Sequence, residues 1–235
     1  MTSDRPFPIS WSPGQHLALV GQTGSGKSTL AACLLSSWTY YLAVKTKDDD
    51  VTYPGAVKVV AGRKLNQQSL SRILLQPPYE RQAREIHEAF RLVYRQGHWT
   101  CYVDEEWYVE EELGLTYDMN LLLTQGRSKK ITMMMGAQRA SRISRFVLSQ
   151  ATHVITFRLE GRDVKVIEEA TNAYVADYAS VLRRHEFVWW RRDEDVMWVG
   201  RLDAATLSKF EPVEVGQRLG EDEGAPEILS AGGRR

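Results

Sequence analysis

Eight consecutive residues match the phosphate-binding loop pattern G-x-x-x-x-G-K-[ST] in full. The loop and the residue after it are Gly21, Gln22, Thr23, Gly24, Ser25, Gly26, Lys27, Ser28 and Thr29. Glycines allow backbone N–H groups to curl around phosphate oxygens, and the N-terminus of a following helix adds its dipole. In such a loop the lysine bridges the β- and γ-phosphates and the hydroxyl residue binds Mg²⁺, so we assign these roles to Lys27 and Ser28. The pattern predicts a site for a nucleoside triphosphate, ATP in our interpretation.

Apolar segments lie on both sides of this loop. A strand is predicted over residues 16–21, directly before the loop, and a helix from the loop to about Trp38. This is the setting in which the motif binds phosphate. A glycine-rich turn with a stray lysine is the alternative, but it leaves the fixed spacing and both flanking elements unexplained.

Two acidic residues end the next long apolar strand, about 75 residues after the loop. The segment is Tyr102-Val103-Asp104-Glu105. In a phosphate-loop enzyme an aspartate at this place holds the Mg²⁺ shell, and a glutamate directly after it orients and deprotonates the attacking water. We therefore assign Asp104, with Ser28, to the metal and Glu105 to general-base catalysis. Glu106 is the alternative base.

A glutamine follows a later apolar strand, in the segment Gly136-Ala137-Gln138-Arg139. An amide at the tip of the strand beside the Asp-Glu strand touches both the γ-phosphate and the attacking water, and it reports the nucleotide state to the adjoining loop. We include Gln138 among the catalytic residues for this reason. A solvated glutamine in a turn is the alternative.

Strands and helices alternate along the chain. Further strands are predicted over residues 40–44, 57–60, 99–103, 131–135 and 153–157, and helices over residues 79–96, 117–128 and 143–150. Alternation of this kind is typical of a mainly parallel sheet sandwiched by helices. The predicted fold class is therefore α/β.

The end of the chain has a different pattern. Two apolar runs, residues 187–190 and 196–199, flank a charged turn and predict a C-terminal β-hairpin. Trp189 and Trp190 in this hairpin are either core residues or a surface on which bases stack. Beyond Pro212 the chain is rich in Gly, Glu and Pro, which is typical of disorder. We expect one ATPase domain over residues 1–211 and a disordered tail over residues 212–235.

Charge and cysteine content narrow the class further. Lys plus Arg and Asp plus Glu both number 30, so the net charge is zero and any contact with nucleic acid must come from a local patch. Cys33 and Cys101 lie in apolar segments without disulfide or zinc spacing, as expected in a reducing cytosol. Because no apolar run is long enough to span a membrane, we expect a soluble, cytoplasmic protein.

Two segments of the sequence resemble FtsK/HerA-type ATPases. The segments are residues 126–144 and residues 150–158. In that superfamily an arginine-bearing helix end precedes a strand that ends in Gln-Arg, and the next strand ends in Phe-Arg. Residues 44–48 lie where the family often has an acid or a proline together with a lysine after the second strand. The resemblance covers roughly residues 14 to 170 and implies a RecA-like (ASCE) P-loop NTPase fold.

Within this superfamily the chain is most similar to the genome-packaging ATPases of tailless, membrane-containing viruses, because it is short and carries no membrane or DNA-orienting domain. It has Ala140-Ser141 where Pro-Ser is common in the family. The Leu-Ser-Gly-Gly-Gln segment of ABC-type ATPases does not occur in the sequence, so we do not expect an ABC-type ATPase.

The resemblance implies a homo-oligomeric ring, usually a hexamer, that moves double-stranded DNA by ATP hydrolysis. A viral motor of this kind would work in the host cytoplasm or at the virion vertex, against a capsid vertex or portal-like protein. An arginine of one subunit would complete the neighbour's site, which can contribute a factor of ~10³–10⁵ in rate. Arg127 matches the family's arginine, with Arg139 and Arg142 as alternatives. Interaction of Arg127 with only its own helix C-terminus is the other interpretation.

Basic and acidic residues are segregated along the sequence. No acidic residue occurs between Met119 and Leu159, whereas seven cations do: Arg127, Lys129, Lys130, Arg139, Arg142, Arg145 and Arg158. These side chains either contact phosphates along the DNA backbone, or they form a solvated face or intersubunit ion pairs. A cellular or conjugative DNA pump is one alternative function, and an ATP-gated scaffold that does not move DNA is another.

Overall fold

The structure is a computed structural model that describes residues 11–47, 51–59 and 70–203. Within these residues the strands are β1 (Leu17–Val20), β2 (Tyr41–Val44), β3 (Val57–Val59), β4 (Arg72–Leu75), β5 (Thr100–Val103), β6 (Thr132–Ala137), β7 (His153–Phe157), β8 (Glu186–Arg191) and β9 (Val196–Arg201). The α-helices are α1 (Lys27–Ser36), α2 (Gln82–Gln96), α3 (Thr116–Gln125), α4 (Arg145–Gln150), α5 (Arg162–Ala170) and α6 (Ala173–Val181).

All these strands belong to one sheet, in the order β3-β4-β2-β5-β6-β1-β7-β8-β9. Strands β1 to β7 pair in parallel with one another, and β8 pairs antiparallel with both β7 and β9. The carboxyl ends of β1, β2, β5, β6 and β7 therefore meet at one edge, here called the carboxyl edge, and their starts form the amino edge. Ligands of open parallel sheets bind at the carboxyl edge. The predicted α/β fold, with its mainly parallel sheet and C-terminal hairpin, is confirmed.

Helices cover both faces of this sheet. Helix α1 packs Leu30 and Leu34 on one face, and α2 packs Ile86 and Phe90 on the other. The central strand β1 is buried along its whole length, as expected for a strand covered on both faces. The hairpin tryptophans are also buried, Trp189 and Trp190 being 1% and 4% exposed, so they are core residues and not a stacking surface.

Several elements were not predicted. Strand β4 is four residues long, and such a short apolar run does not distinguish strand from helix by periodicity. Helices α5 and α6 have no counterpart in the prediction, nor does a π-helical segment, Tyr108–Glu112, close after the Asp-Glu motif. The predicted strand 131–135 continues to Ala137. Residue 60, the domain end at residue 211 and the tail over residues 212–235 lie outside the described residues.

Candidate active site

The phosphate loop connects the carboxyl end of β1 to α1. Gly24 and Gly26 have φ angles of +78° and +103°, in the left-handed region that favours glycine. Gly21 is tightly packed instead: a Cβ built on it would lie 2.6 Å from Oγ of Ser25 and 2.8 Å from Cδ2 of Phe157. The backbone and its neighbours therefore require all three glycines of the motif.

Four side chains meet where the loop faces the end of β5. The Lys27 Nζ lies 2.7 Å from Oδ1 of Asp104, and the same oxygen accepts hydrogen bonds from the hydroxyls of Tyr102, at 2.6 Å, and Ser28, at 3.4 Å. Burial raises the pKa of Asp104, but the Lys27 ammonium and the hydrogen bonds from Lys27 and Tyr102 outweigh it, so this pKa lies below its ordinary value. The Asp104 carboxylate is therefore ionised at neutral pH.

The oxygen atoms of this cluster fit Mg²⁺. Mg²⁺ is usually bound through one or two carboxylates together with substrate phosphates, not by a cage made only of protein. The Ser28 hydroxyl and the Asp104 carboxylate together offer one carboxylate and one neutral oxygen, which leaves room for phosphates and water around the ion. The part of the chain that the structure describes holds no cluster of three or more His, Cys, Asp or Glu suited to a metal. When bound, the ion would neutralise charge on the β- and γ-phosphates.

The Glu105 carboxylate lies between two nitrogen donors from neighbouring strand ends. Lys47 Nζ, after β2, lies 2.8 Å from Oε2 of Glu105, and the Gln138 amide, after β6, donates to the same oxygen at 3.0 Å. The structure thus places Gln138 and Glu105, both predicted as catalytic, in direct contact. The two groups are suitably placed to orient one water molecule, and only the carboxylate is a base.

Glu106 faces a different environment from Glu105. Its side chain is fully buried, and Oε2 accepts a hydrogen bond from the backbone N–H of Ser144 at 3.3 Å. Burial, reinforced by the neighbouring carboxyl of Glu110, raises the pKa of Glu106 to about 9. A carboxyl that keeps its proton at neutral pH does not serve as a general base there. The burial of Glu106 and its raised pKa therefore favour Glu105 over Glu106 as the base.

We expect Glu106→Gln to stabilise the fold at alkaline pH. The folded chain keeps the Glu106 proton up to a pKa of about 9, whereas the ordinary pKa of a glutamic acid side chain is 4.5. The stability that Glu106 contributes is therefore present at acidic pH and is lost as the pH rises through this range. The amide has no such proton to lose. A gain of only about 1 kcal/mol would raise the melting temperature by about 2–4 °C in a chain of this size.

Thermal unfolding at pH 5 and pH 8.5 measures this effect. Glu160→Gln, at an exposed side chain, is the matched control and should show the same small shift at both values. If the difference between Glu106→Gln and the wild type does not grow with pH, Glu106 is ionised in the folded protein.

A loop over residues 138–144, here called the β6 loop, is joined to the Asp-Glu strand end. The contacts are Gln138 Nε2 to Glu105 Oε2 at 3.0 Å, the Ser144 N–H to Glu106 Oε2 at 3.3 Å, and the Arg142 guanidinium to the Trp107 ring centroid at 4.6 Å. Each of the three residues after Asp104 thus contacts the β6 loop. A displacement of this loop would therefore be transmitted to the Glu105 carboxylate.

Arg127 lies far from the phosphate loop of its own chain. It belongs to a 3₁₀ turn before β6, and its backbone lies against Gly14, which precedes β1. The loop follows the opposite end of β1, and four strand residues span about 13 Å. The Arg127 guanidinium donates to the carbonyl of Gln150, the last residue of α4. It thus binds the C-terminus of a neighbouring helix, not that of its own helix, and it cannot reach the phosphate loop of the same subunit.

The seven cations between residues 119 and 159 do not share one surface. Arg127, Lys129 and Lys130 precede β6 at the amino edge, and Lys129 lies 4.8 Å from the ring centroid of Tyr94. Arg139 and Arg142 follow β6 at the carboxyl edge and are exposed. Arg158 follows β7 and is also exposed at the carboxyl edge, so Arg139, Arg142 and Arg158 lie on the same side of the sheet as the nucleotide motifs.

Comparison with known proteins defines the class. The family model described as "ABC transporter" matches residues 6–156, more than half of the chain. The chain belongs to the P-loop ATPases that this model describes. The absence of a Leu-Ser-Gly-Gly-Gln segment does not prevent the match, because the matched residues carry the phosphate loop and the Asp-Glu strand end, which these ATPases have in common.

Relatives of this ATPase include viral packaging enzymes. The DNA packaging ATPase P9 of Enterobacteria phage PRD1 is 27% identical over 161 residues, which are 66% of this chain and 69% of the relative. The genome packaging NTPase B204 of Sulfolobus turreted icosahedral virus 2, in complex with AMP, superposes with a TM-score of 0.65 at 16% identity, over 80% of this chain and 98% of that chain.

A conjugation protein shares the fold as well. The pCW3 conjugation coupling protein TcpA superposes with a TM-score of 0.54 at 16% identity, over 84% of this chain and 64% of that chain. The resemblance to viral genome-packaging ATPases predicted from the sequence is confirmed by the similarity to the DNA packaging ATPase P9, and the two solved structures share the fold of this chain.

Two residues of the ATPase site are absent from the predicted set. Tyr102 donates to Asp104, and Lys47 forms the ion pair with Glu105. The signal for Lys47 is its place three residues after β2. That signal becomes informative only when β2 is known to lie beside β5, because the carboxyl ends of adjacent parallel strands are neighbours.

Proposed function

We propose that this ATPase is an ATP-driven double-stranded DNA translocase that packages a viral genome. The observation that carries the proposal is its similarity to the DNA packaging ATPase P9, which extends over 66% of this chain and 69% of that relative. The chain also spans 98% of a genome packaging NTPase of the same fold. The conjugation coupling protein is covered over a smaller share of its length, so a conjugative pump is the second candidate.

The β6 loop supports a coupling between DNA and ATP hydrolysis. Its exposed Arg139 and Arg142 suit phosphate contacts, and its other residues contact Glu105 and Glu106. A DNA phosphate that binds these arginines would change the surroundings of the general base, Glu105. In this proposal the β6 loop is the part of the chain through which DNA alters turnover.

The position of Arg127 supports an oligomeric ring. Because Arg127 cannot reach the phosphate loop of its own subunit, any catalytic role requires a neighbour whose carboxyl edge faces this amino edge. In our proposal Arg127 completes the catalytic site of the neighbouring subunit, and the ring is a hexamer. Ser28 and Asp104 hold Mg²⁺, and ATP binds between subunits.

The proposal includes the setting of this motor. The ATPase domain would extend over residues 1–211 and work in the host cytoplasm or at a virion vertex, against a capsid vertex or portal-like protein. In the described ranges, no helix is both long and apolar enough to cross a membrane.

We expect duplex DNA to accelerate ATP hydrolysis in a salt-dependent way. Each phosphate contact releases counterions, so about three contacts would weaken DNA binding more than about tenfold between 50 and 200 mM salt. Arg139→Ala should reduce the stimulation and the slope of its salt dependence. Arg95→Ala, which removes an equal charge from the exposed end of α2, is the matched control.

Steady-state ATPase assays with duplex DNA over a salt series measure these effects. An ATPase that turns over equally with and without DNA would be a scaffold, and the translocase proposal would be wrong. Salt-dependent stimulation that Arg139→Ala leaves unchanged would retain the translocase and place the DNA contact outside the β6 loop.

A further inference from the structure

The hairpin formed by β8 and β9 meets the phosphate loop at its open end. Glu186 pairs with Arg201 at that end, and directly beyond this pair the N–H of Leu202 donates to the carbonyl of His185 at 2.8 Å. Strand β8 is antiparallel to β7, which lies beside β1. The open end of the hairpin therefore lies at the carboxyl edge, close to the loop that follows β1.

His185 and Leu202 contact the two residues that precede Lys27. Nδ1 of His185 lies 3.0 Å from the carbonyl oxygen of Ser25. A Cβ built on Gly26 would lie 2.6 Å from Cδ1 of Leu202 and 3.4 Å from Nδ1 of His185. Because a carbonyl oxygen only accepts hydrogen bonds, His185 must carry a proton on Nδ1 and act as the donor.

The backbone at His185 is held in an unfavourable conformation. Its φ angle is +65°, in the left-handed region that few residues other than glycine adopt. Such conformations persist where surrounding contacts fix them, and they cluster at functional sites. Here the fixing contacts are the Leu202 hydrogen bond on one side of His185 and the Ser25 carbonyl on the other.

The contact with Ser25 controls a peptide group of the phosphate loop. The peptide between Ser25 and Gly26 is trans and planar, so its C=O and N–H point in opposite directions. By holding the carbonyl of Ser25, the His185 ring also fixes the direction of the Gly26 N–H. Loops of this type bind phosphate through backbone N–H groups, and a loop that is already ordered loses less entropy on binding.

We propose that His185 is a positioning residue for the phosphate loop, and that the hairpin, through His185 and Leu202, holds the loop in its ATP-binding conformation. This role concerns ATP binding alone and does not depend on DNA. The hairpin formed by β8 and β9 thereby contributes to the affinity of the chain for ATP.

Three substitutions at one position test the donor. His185→Ala should raise the Kd and the KM for ATP roughly fivefold to tenfold and leave kcat within about twofold, because one hydrogen bond contributes about one tenfold step at most. His185→Asn places an amide nitrogen where Nδ1 lies and tolerates a positive φ angle, so it should restore near wild-type affinity. His185→Gln places its nitrogen near the Nε2 position and should behave like His185→Ala.

Asp195→Ala is the control for a general loss of hairpin stability. Asp195 lies at the opposite end of the hairpin and accepts hydrogen bonds from Trp190 and Asn172, at 2.9 and 3.0 Å. This variant should lower the melting temperature and leave the Kd for ATP unchanged. Titration with a fluorescent ATP analogue, steady-state kinetics and thermal unfolding give the three measurements.

Several results would overturn the proposal. One is an unchanged Kd in His185→Ala, and another is equal behaviour of His185→Asn and His185→Gln. A Kd that Asp195→Ala raises as much as His185→Ala, well below both melting temperatures, would reduce His185 to a stabilising residue.

Discussion

Glu105→Gln is expected to bind ATP and to hydrolyse it about 10²-fold or more slowly than the wild type, the usual scale for the loss of a general base. The amide keeps the shape of the carboxylate between Lys47 and Gln138, so packing and nucleotide affinity should change little. It cannot take a proton from water. Single-turnover hydrolysis measures the chemical step, and titration of a fluorescent ATP analogue measures binding.

Glu106→Gln is the matched control, because it makes the same chemical change one residue further along. The buried Glu106 already holds its proton at neutral pH, so the neutral amide resembles the native state and turnover should stay near that of the wild type. If Glu106→Gln lost turnover and Glu105→Gln kept it, the base would be Glu106 and the assignment would be shifted by one residue.

Lys27→Ala and Arg127→Ala are each expected to abolish most hydrolysis, and mixtures of the two are expected to recover part of it. Loss of Lys27 removes the ammonium that serves the phosphates, whereas loss of Arg127 removes a charge that can contribute a factor of ~10³–10⁵ in rate. Arg127→Ala should still bind ATP, because Arg127 lies at the amino edge of the sheet, away from its own phosphate loop.

The recovery depends on which subunit supplies each part. In a mixed ring, an Arg127→Ala subunit has an intact phosphate loop and can face the intact Arg127 of a Lys27→Ala neighbour. ATP hydrolysis measured over a series of mixing ratios should pass through a maximum, while each variant alone stays inactive. Rings shown to be mixed but inactive would exclude Arg127 as the residue acting between subunits. The same mixing test with Arg139→Ala and Arg142→Ala would then identify its replacement.

The local parts of the site could be predicted from the sequence because they depend on neighbours in the chain. The phosphate loop has its fixed residues within eight positions, and Asp104 and Glu105 end a recognisable strand. Their separation along the chain did not prevent the prediction, because parallel strands bring their carboxyl ends to one edge.

Contacts that depend on strand order and on distant loops were not predictable in the same way. The ion pair of Lys47 with Glu105 requires β2 beside β5, and the contact of His185 with Ser25 joins residues 160 positions apart. Periodicity carries no information about which strands are neighbours. The placement of Arg127 at the amino edge likewise followed only from the sheet, although its residue type and position before β6 were evident in the sequence.

Because Arg127 and the phosphate loop lie at opposite edges of the sheet, the number of complete catalytic sites depends on how the subunits assemble. If Arg127 serves a neighbour, subunits join through two different surfaces, and such contacts form either an open row or a closed ring. An open row has one complete catalytic site fewer than it has subunits, since the loop at one end faces no arginine. Closing the ring creates that last site. Any nucleotide that binds the completed site more tightly than the incomplete one must favour closure by the same free energy, so ring closure and nucleotide occupancy are thermodynamically linked.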